Sequence, residues 1–140
     1  MSLLDDFLSG DPTRIWSASG AVRHLRDPVE LAQLAESVDL IEERSRGDAL
    51  GGMMRPNTSH LEFACRKLRF FASSNECLCA LYSQDDLYDP DREAKAGSVV
   101  VEGENLAEWS SVCRCTACAA IWDVEARQYH YMWWAWKRRP

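Results

Sequence analysis

Nowhere do eighteen apolar residues run together, and the opening stretch, Met1-Ser2-Leu3-Leu4-Asp5-Asp6, has neither a basic leader region nor an apolar one. No membrane-spanning helix is expected, and the chain reads as a soluble cytoplasmic protein made without a secretion signal. Catalytic signatures are missing too. There is no G-x-S-x-G, no Walker loop and no G-x-G-x-x-G, and the three histidines, His24, His60 and His130, are scattered. Adjacent carboxylates such as Asp85 and Asp86 occur in any acidic loop and say little about acid-base chemistry. The expectation is that the chain is not an enzyme. Positive charge is also short: 16 Lys and Arg stand against 22 Asp and Glu, a net charge of −6. Phosphate backbones demand the opposite sign, so nucleic acid is a poor partner.

Cysteine is what the chain has, and it is clustered. Five of the six cysteines sit in two short runs, Cys77-Leu78-Cys79 and Cys113-Arg114-Cys115-Thr116-Ala117-Cys118. In a reducing compartment such clusters are metal ligands more often than disulfides. The step from Cys115 to Cys118 is C-x-x-C, a turn that converges two sulfurs on one ion, and Cys77 with Cys79 on a strand would present two more on one face. Cys113 with Cys115 would repeat the C-x-C of the first run, so the third ligand is open between Cys113 and Cys115. The C-x-x-C pair is preferred because its turn lets backbone N–H groups donate to the sulfurs. The expected set is Cys77, Cys79, Cys115 and Cys118, four thiolates around a structural Zn2+. Cys65 reads as a small core residue, and His130, inside an aromatic strand, as structure.

At 140 residues the chain is long enough to bury a core without staples. A single α+β domain is expected, its helical half (1–74, about three helices) packed on a β-rich, zinc-bearing half (75–140). Asp11-Pro12 and Asp27-Pro28 are N-cap and N1 pairs. The first opens a helix to about Leu25 with Ile15, Trp16 and Val22 as apolar positions. The second opens a longer one in which Leu31, Leu34, Ala35, Val38 and Ile41 share a face until Gly47. A loop follows from Gly47 to Asn57, with Leu50, Met53 and Met54 tucked against the helices. Ser59 then caps a third helix with Leu61, Ala64, Cys65, Leu68 and Phe71 inside and Lys67 mostly on the open side.

From Asn75 the period changes. Short runs rich in Val, Trp, Tyr and Ile, at 77–82, 98–102, 109–115, 120–125 and 128–136, predict an antiparallel sheet of four or five strands. Asp89-Pro90-Asp91 reads as a turn, with one helical turn near 92–96. The last strand puts Tyr129, Tyr131 and Trp133 on one face and His130, Met132, Trp134 and Trp136 on the other, so both faces call for cover. Residues 84–108 hold eight acids against Arg92 and Lys95 while the rest is neutral on balance. Such a segment favours a basic protein partner.

The stretch Cys77-Leu78-Cys79-Ala80-Leu81-Tyr82, the Asp89-Pro90 step, the C-x-C-x-x-C run ending at Cys118 and the closing His130-Tyr131-Met132-Trp133-Trp134-Ala135-Trp136 together resemble a family of small cytoplasmic bacterial proteins. These are the immunity proteins encoded beside polymorphic toxins, including effectors of type VI secretion and Rhs systems. Ser9-Gly10-Asp11-Pro12 with Ile15-Trp16, Arg26-Asp27-Pro28 and His60-Leu61-Glu62-Phe63-Ala64 extend the resemblance over most of the chain. One departure is Ala119, which stands where the knuckle usually continues with glycine. The resemblance implies capture and neutralisation of a cognate toxin or effector protein of basic surface, without catalysis. Asp85, Asp86, Tyr88, Asp89, Asp91 and Trp109 are the candidate contacts, the acids for steering and the aromatics as anchors. The alternative is a zinc-stabilised nucleic-acid-binding or regulatory module.

Overall fold

The computed structural model describes residues 2–45, 57–128 and 130–140. Among these residues it is an α+β chain of seven helical segments followed in its C-terminal part by one four-stranded antiparallel sheet. Two compact units divide it, Met1–Asn75 and Glu76–Pro140. No helix among the described residues is long and apolar enough to cross a membrane.

In the first unit, helices begin where short polar side chains can hold free N–H groups. α1, Leu3–Phe7, was not foreseen from the sequence, although Ser2 and Asp5 form a capping box that signals it. α2, Pro12–His24, and α3, Pro28–Glu36, start as expected, with Asp11 and Asp27 each accepting the N–H two residues on at 2.9 Å. The single helix anticipated after Pro28 is in fact two, α3 and α4 (Val38–Ser45). Ser37 makes the break: its N–H folds back to the Leu34 carbonyl at 3.0 Å and its carbonyl accepts from Ile41 at 2.9 Å. Leu31, Leu34, Val38 and Ile41 are buried on both sides of the break, which is why the apolar pattern concealed it. Gly47, Leu50, Met53 and Met54 lie outside the described residues.

α5, Asn57–Ser73, packs against α2, α3 and α4. Ser59 lies inside this helix and does not cap it. Lys67 is the larger correction: it is buried, its ammonium donating to the carbonyls of Arg23 at 2.7 Å and Leu25 at 2.9 Å. It thereby satisfies acceptors that the end of α2 leaves open. Trp16, expected on the apolar side, is half exposed.

The second unit begins with a correction. Cys77–Tyr82 does not form a strand; Leu78–Gln84 is a 3-10 helix, and the helical turn expected near 92–96 is a helix, α6 (Pro90–Lys95), that Asp89 caps from the stretch read as a turn. The strands are β1 (Val99–Asn105), β2 (Ser110–Cys115), β3 (Ile121–Gln128) and β4 (Met132–Arg138), neighbours in that order, with a bulge between Val101 and Gly103. One face is buried: Val99, Cys113, Cys115, Trp122, Val124 and Trp136 point into a core shared with Leu81, Tyr82 and Tyr88. Tyr82 stacks on Trp136 at 4.3 Å and meets Trp122 and Tyr88 edge-on at 6.0 and 4.8 Å. Burial of rings of this size contributes about 4–6 kcal/mol each, before entropy, at ~25 cal/mol per Å2. Two of their polar ends are satisfied. Tyr82 donates to Glu93 Oε2 and Trp136 Nε1 donates to the Tyr88 carbonyl, both at 2.8 Å.

Among the described residues of the terminal aromatic run, only Trp136 is buried. Trp133 and Trp134 are half-buried, with the Arg127 guanidinium 5.3 Å over the Trp133 ring, and Met132 is exposed. Tyr129 lies outside the described residues.

Candidate metal centre

Four sulfurs reach one point from two directions. Cys77 sits in extended backbone just before the 3-10 helix and Cys79 within its first turn, so two residues of separation become a loop around the site. Cys115 is the last residue of β2, and Cys118 lies in the turn that leads to β3. That turn is the knuckle expected of C-x-x-C: Ala119 N–H donates to the Cys115 carbonyl at 3.0 Å and Cys115 N–H to the Ala120 carbonyl at 2.9 Å. Ala119 has φ +64, the left-handed conformation for which glycine is better suited. Thr116 anchors the knuckle, its hydroxyl donating to the Gly97 and Ser98 carbonyls at 2.7 and 3.0 Å.

Sulfur to sulfur, Cys77 is 3.7 Å from Cys115 and Cys79 is 3.5 Å from Cys118, and all four lie within 4.8 Å of one another. A tetrahedron with metal–sulfur bonds of about 2.3 Å has edges of about 3.8 Å. The pairs are too long for disulfides, whose sulfurs bond at about 2.05 Å, and all six cysteines are free. The four cysteines can therefore hold a metal ion; the sulfurs that converge are those of Cys77, Cys79, Cys115 and Cys118, and Cys113 is not in the group.

The electrostatics suit a cation. Burial raises the Cys77 and Cys79 thiols above their ordinary value, and the neighbouring sulfurs add to it. Burial also acts on Cys118, yet the Ala120 N–H and the neighbouring sulfurs of Cys79, Cys115 and Cys77 hold its thiol below the usual range. Four thiolates at this separation repel one another until a divalent ion sits among them. Trp122 Nε1 is a buried donor with no hydrogen bond of ordinary geometry. It is close enough to Cys79 to favour the thiolate.

Cys113 is fully buried on the same face of β2, opposite Trp122, and burial pushes its thiol up to about 11. Cys65 is buried in α5, in the other unit, and burial pushes it up to about 12. His130 is exposed and is no part of the cluster.

The acidic candidates separate. Asp85 and Tyr88 are buried, and Tyr88 is no exposed anchor, since its ring packs against Tyr82. Asp86 is half-buried, its carbonyl accepting from Trp134 N–H at 2.8 Å, and Asp89 caps α6. Asp91 and Trp109 are exposed. Thr116 and Trp122 are the supporting residues that sequence reasoning missed. A hydroxyl inside C-x-x-C was the one available sign of the first; the second depended on strand register.

No family model, no curated protein and no solved structure matches the chain.

Proposed function

We propose that the ion is zinc, that its role is structural, and that the chain is a binding protein without catalytic activity which captures and neutralises a cognate secreted toxin or effector domain. The observation that carries the reading is the convergence of four cysteine sulfurs within 4.8 Å. Four thiolates fill a tetrahedral zinc, leave no position for water or substrate, and turn binding energy into folding energy. A sheet braced in this way offers a preorganised surface, which lowers the ordering cost of capture. The sequence resemblance to immunity proteins supplies the class of partner, and the acidic stretch 84–108 supplies its sign, a basic surface.

Purification with metal analysis, joined to co-expression with the product of the neighbouring gene, tests the reading. One zinc per chain, co-purification and protection of the cell are expected. A chain without stoichiometric metal removes the zinc, and a chain that neither binds nor protects removes the immunity role.

A further inference from the structure

Where the β1–β2 turn approaches α6 and β4, the second unit carries an open groove of about 340 Å3. Its apolar wall is Leu106, Trp109, Met132 and Trp134, and its acids are Asp89, Asp91 and Glu104; no lysine, arginine or histidine is among the described residues that line it. Leu106 is 81% exposed, Trp109 51% and Met132 38%, an apolar group left in water where one turn could have been polar. Trp109 also has φ +54, a conformation that bulky residues rarely adopt and that functional sites retain. The Trp109 carbonyl accepts from Ala126 N–H at 2.7 Å, so the strained turn is held in place while the indole stays half out.

An apolar wall alone would accept any apolar group. Asp89 is engaged in capping α6, but Asp91 and Glu104 have no counter-cation among the described residues lining the groove, which narrows the choice to a long apolar stem ending in a positive charge. Arginine fits better than lysine, because a planar guanidinium stacks on indole while its N–H groups reach carboxylates in pairs. We propose that this groove receives an arginine side chain presented by a protein partner. The proposal rests on the binding-protein reading above and names the surface and the residue it takes.

The metal-loaded full chain is titrated with two blocked pentapeptides, Gly-Leu-Arg-Leu-Gly and the same peptide with neutral citrulline in place of arginine, and the indole N–H signals are followed by NMR. The arginine peptide should move the Trp109 and Trp134 signals, and citrulline should bind at least tenfold more weakly. Joint Asp91→Asn and Glu104→Gln substitution should cost at least tenfold in arginine-peptide affinity. Trp109→Gly, which suits the left-handed backbone, should leave the melting temperature unchanged or higher while binding is lost.

Equal affinity for the two peptides, shifts confined to other tryptophans, or no shift into the millimolar range overturns the proposal. So does concentration-dependent dimerisation that the Asp91→Asn and Glu104→Gln pair abolishes, since the occupant is then a second copy offering its own Arg138 or Arg139. The groove and the toxin reading fail separately. Peptide binding without protection keeps the groove and removes the immunity role, whereas protection undiminished in both groove variants keeps that role and removes the groove.

Discussion

Replacing Cys118 by serine tests the proposed contribution of a metal, because Cys118 is the one exposed member of the four. The substitution disturbs little packing, and at an exposed position without metal it should change stability by less than about 0.5 kcal/mol. With metal the expectation differs. Structural zinc in small domains supplies roughly 10–16 kcal/mol of folding energy, and one thiolate of four carries about a quarter of that, some 3 kcal/mol. That corresponds to a loss of about 10²-fold in zinc affinity, and in a domain of this size to a fall in Tm of roughly 10–20 °C. The assay is a double difference: thermal unfolding of the parent and of Cys118→Ser, each with zinc and each with chelator, alongside zinc affinity by chromophoric competition. The two proteins should separate with zinc and coincide with chelator. Equal zinc affinity, or a difference in melting that survives chelation, would refute the ligand assignment.

Other outcomes follow from single contacts. Ala119→Gly at φ +64 should raise the Tm of the second unit by the equivalent of about 0.5–1 kcal/mol, and a lower Tm would mean that the alanine methyl is packed. Lys67→Met leaves the Arg23 and Leu25 carbonyls without their buried donor and should cost about 2–4 kcal/mol in denaturant unfolding, with zinc content unchanged. Cys65 has a folded-state pKa raised to about 12 by burial. Its contribution is present below the ordinary thiol pKa and is lost as pH rises from about 9 through 12. Cys65→Ala should therefore flatten the alkaline loss of stability, and unfolding curves that stay parallel over that range would exclude burial of the thiol as its cause.

What the sequence displayed and what it hid follow from the range of the interactions involved. Asp before proline is a local signal, because the carboxylate accepts an N–H two residues away. The same signal was legible at Asp11 and Asp27 and misread as a turn at Asp89. Cysteine spacing was legible because metal geometry is strict. The backbone between the cysteines was not: C-L-C-A-L-Y alternates like a strand, while the chain winds there into a 3-10 helix that carries Cys79 and Tyr82 inward. Lys67 and Tyr88 were hidden for a related reason. Their polar or aromatic character suggests exposure, and only distant partners, the carbonyls closing α2 and the ring of Tyr82, make burial favourable. The Ser37 break was masked because the helices on either side keep one buried stripe.

The cysteine cluster and the groove lie at the two ends of one segment, and a metal held by the cluster has a measurable consequence for the groove. Cys77 and Cys79 fix the start of a segment that contains the 3-10 helix, then Asp86 and Tyr88, and reaches Asp89 at the groove. Two bonds tie its middle to β4: Trp134 N–H to the Asp86 carbonyl and Trp136 Nε1 to the Tyr88 carbonyl, both at 2.8 Å. Trp134 lines the groove. Releasing the sulfurs frees the segment at one end, and those bonds then hold it with less help. If the groove is formed in only one molecule in ten after chelation, apparent affinity for the arginine peptide falls about tenfold, since binding selects the formed state. Chelation and Cys118→Ser should weaken the peptide alike, and Cys65→Ser, in the other unit, should leave it unchanged. Equal affinity with and without metal, measured on chain that is still folded, would separate the two sites and show that β4 alone holds the groove open.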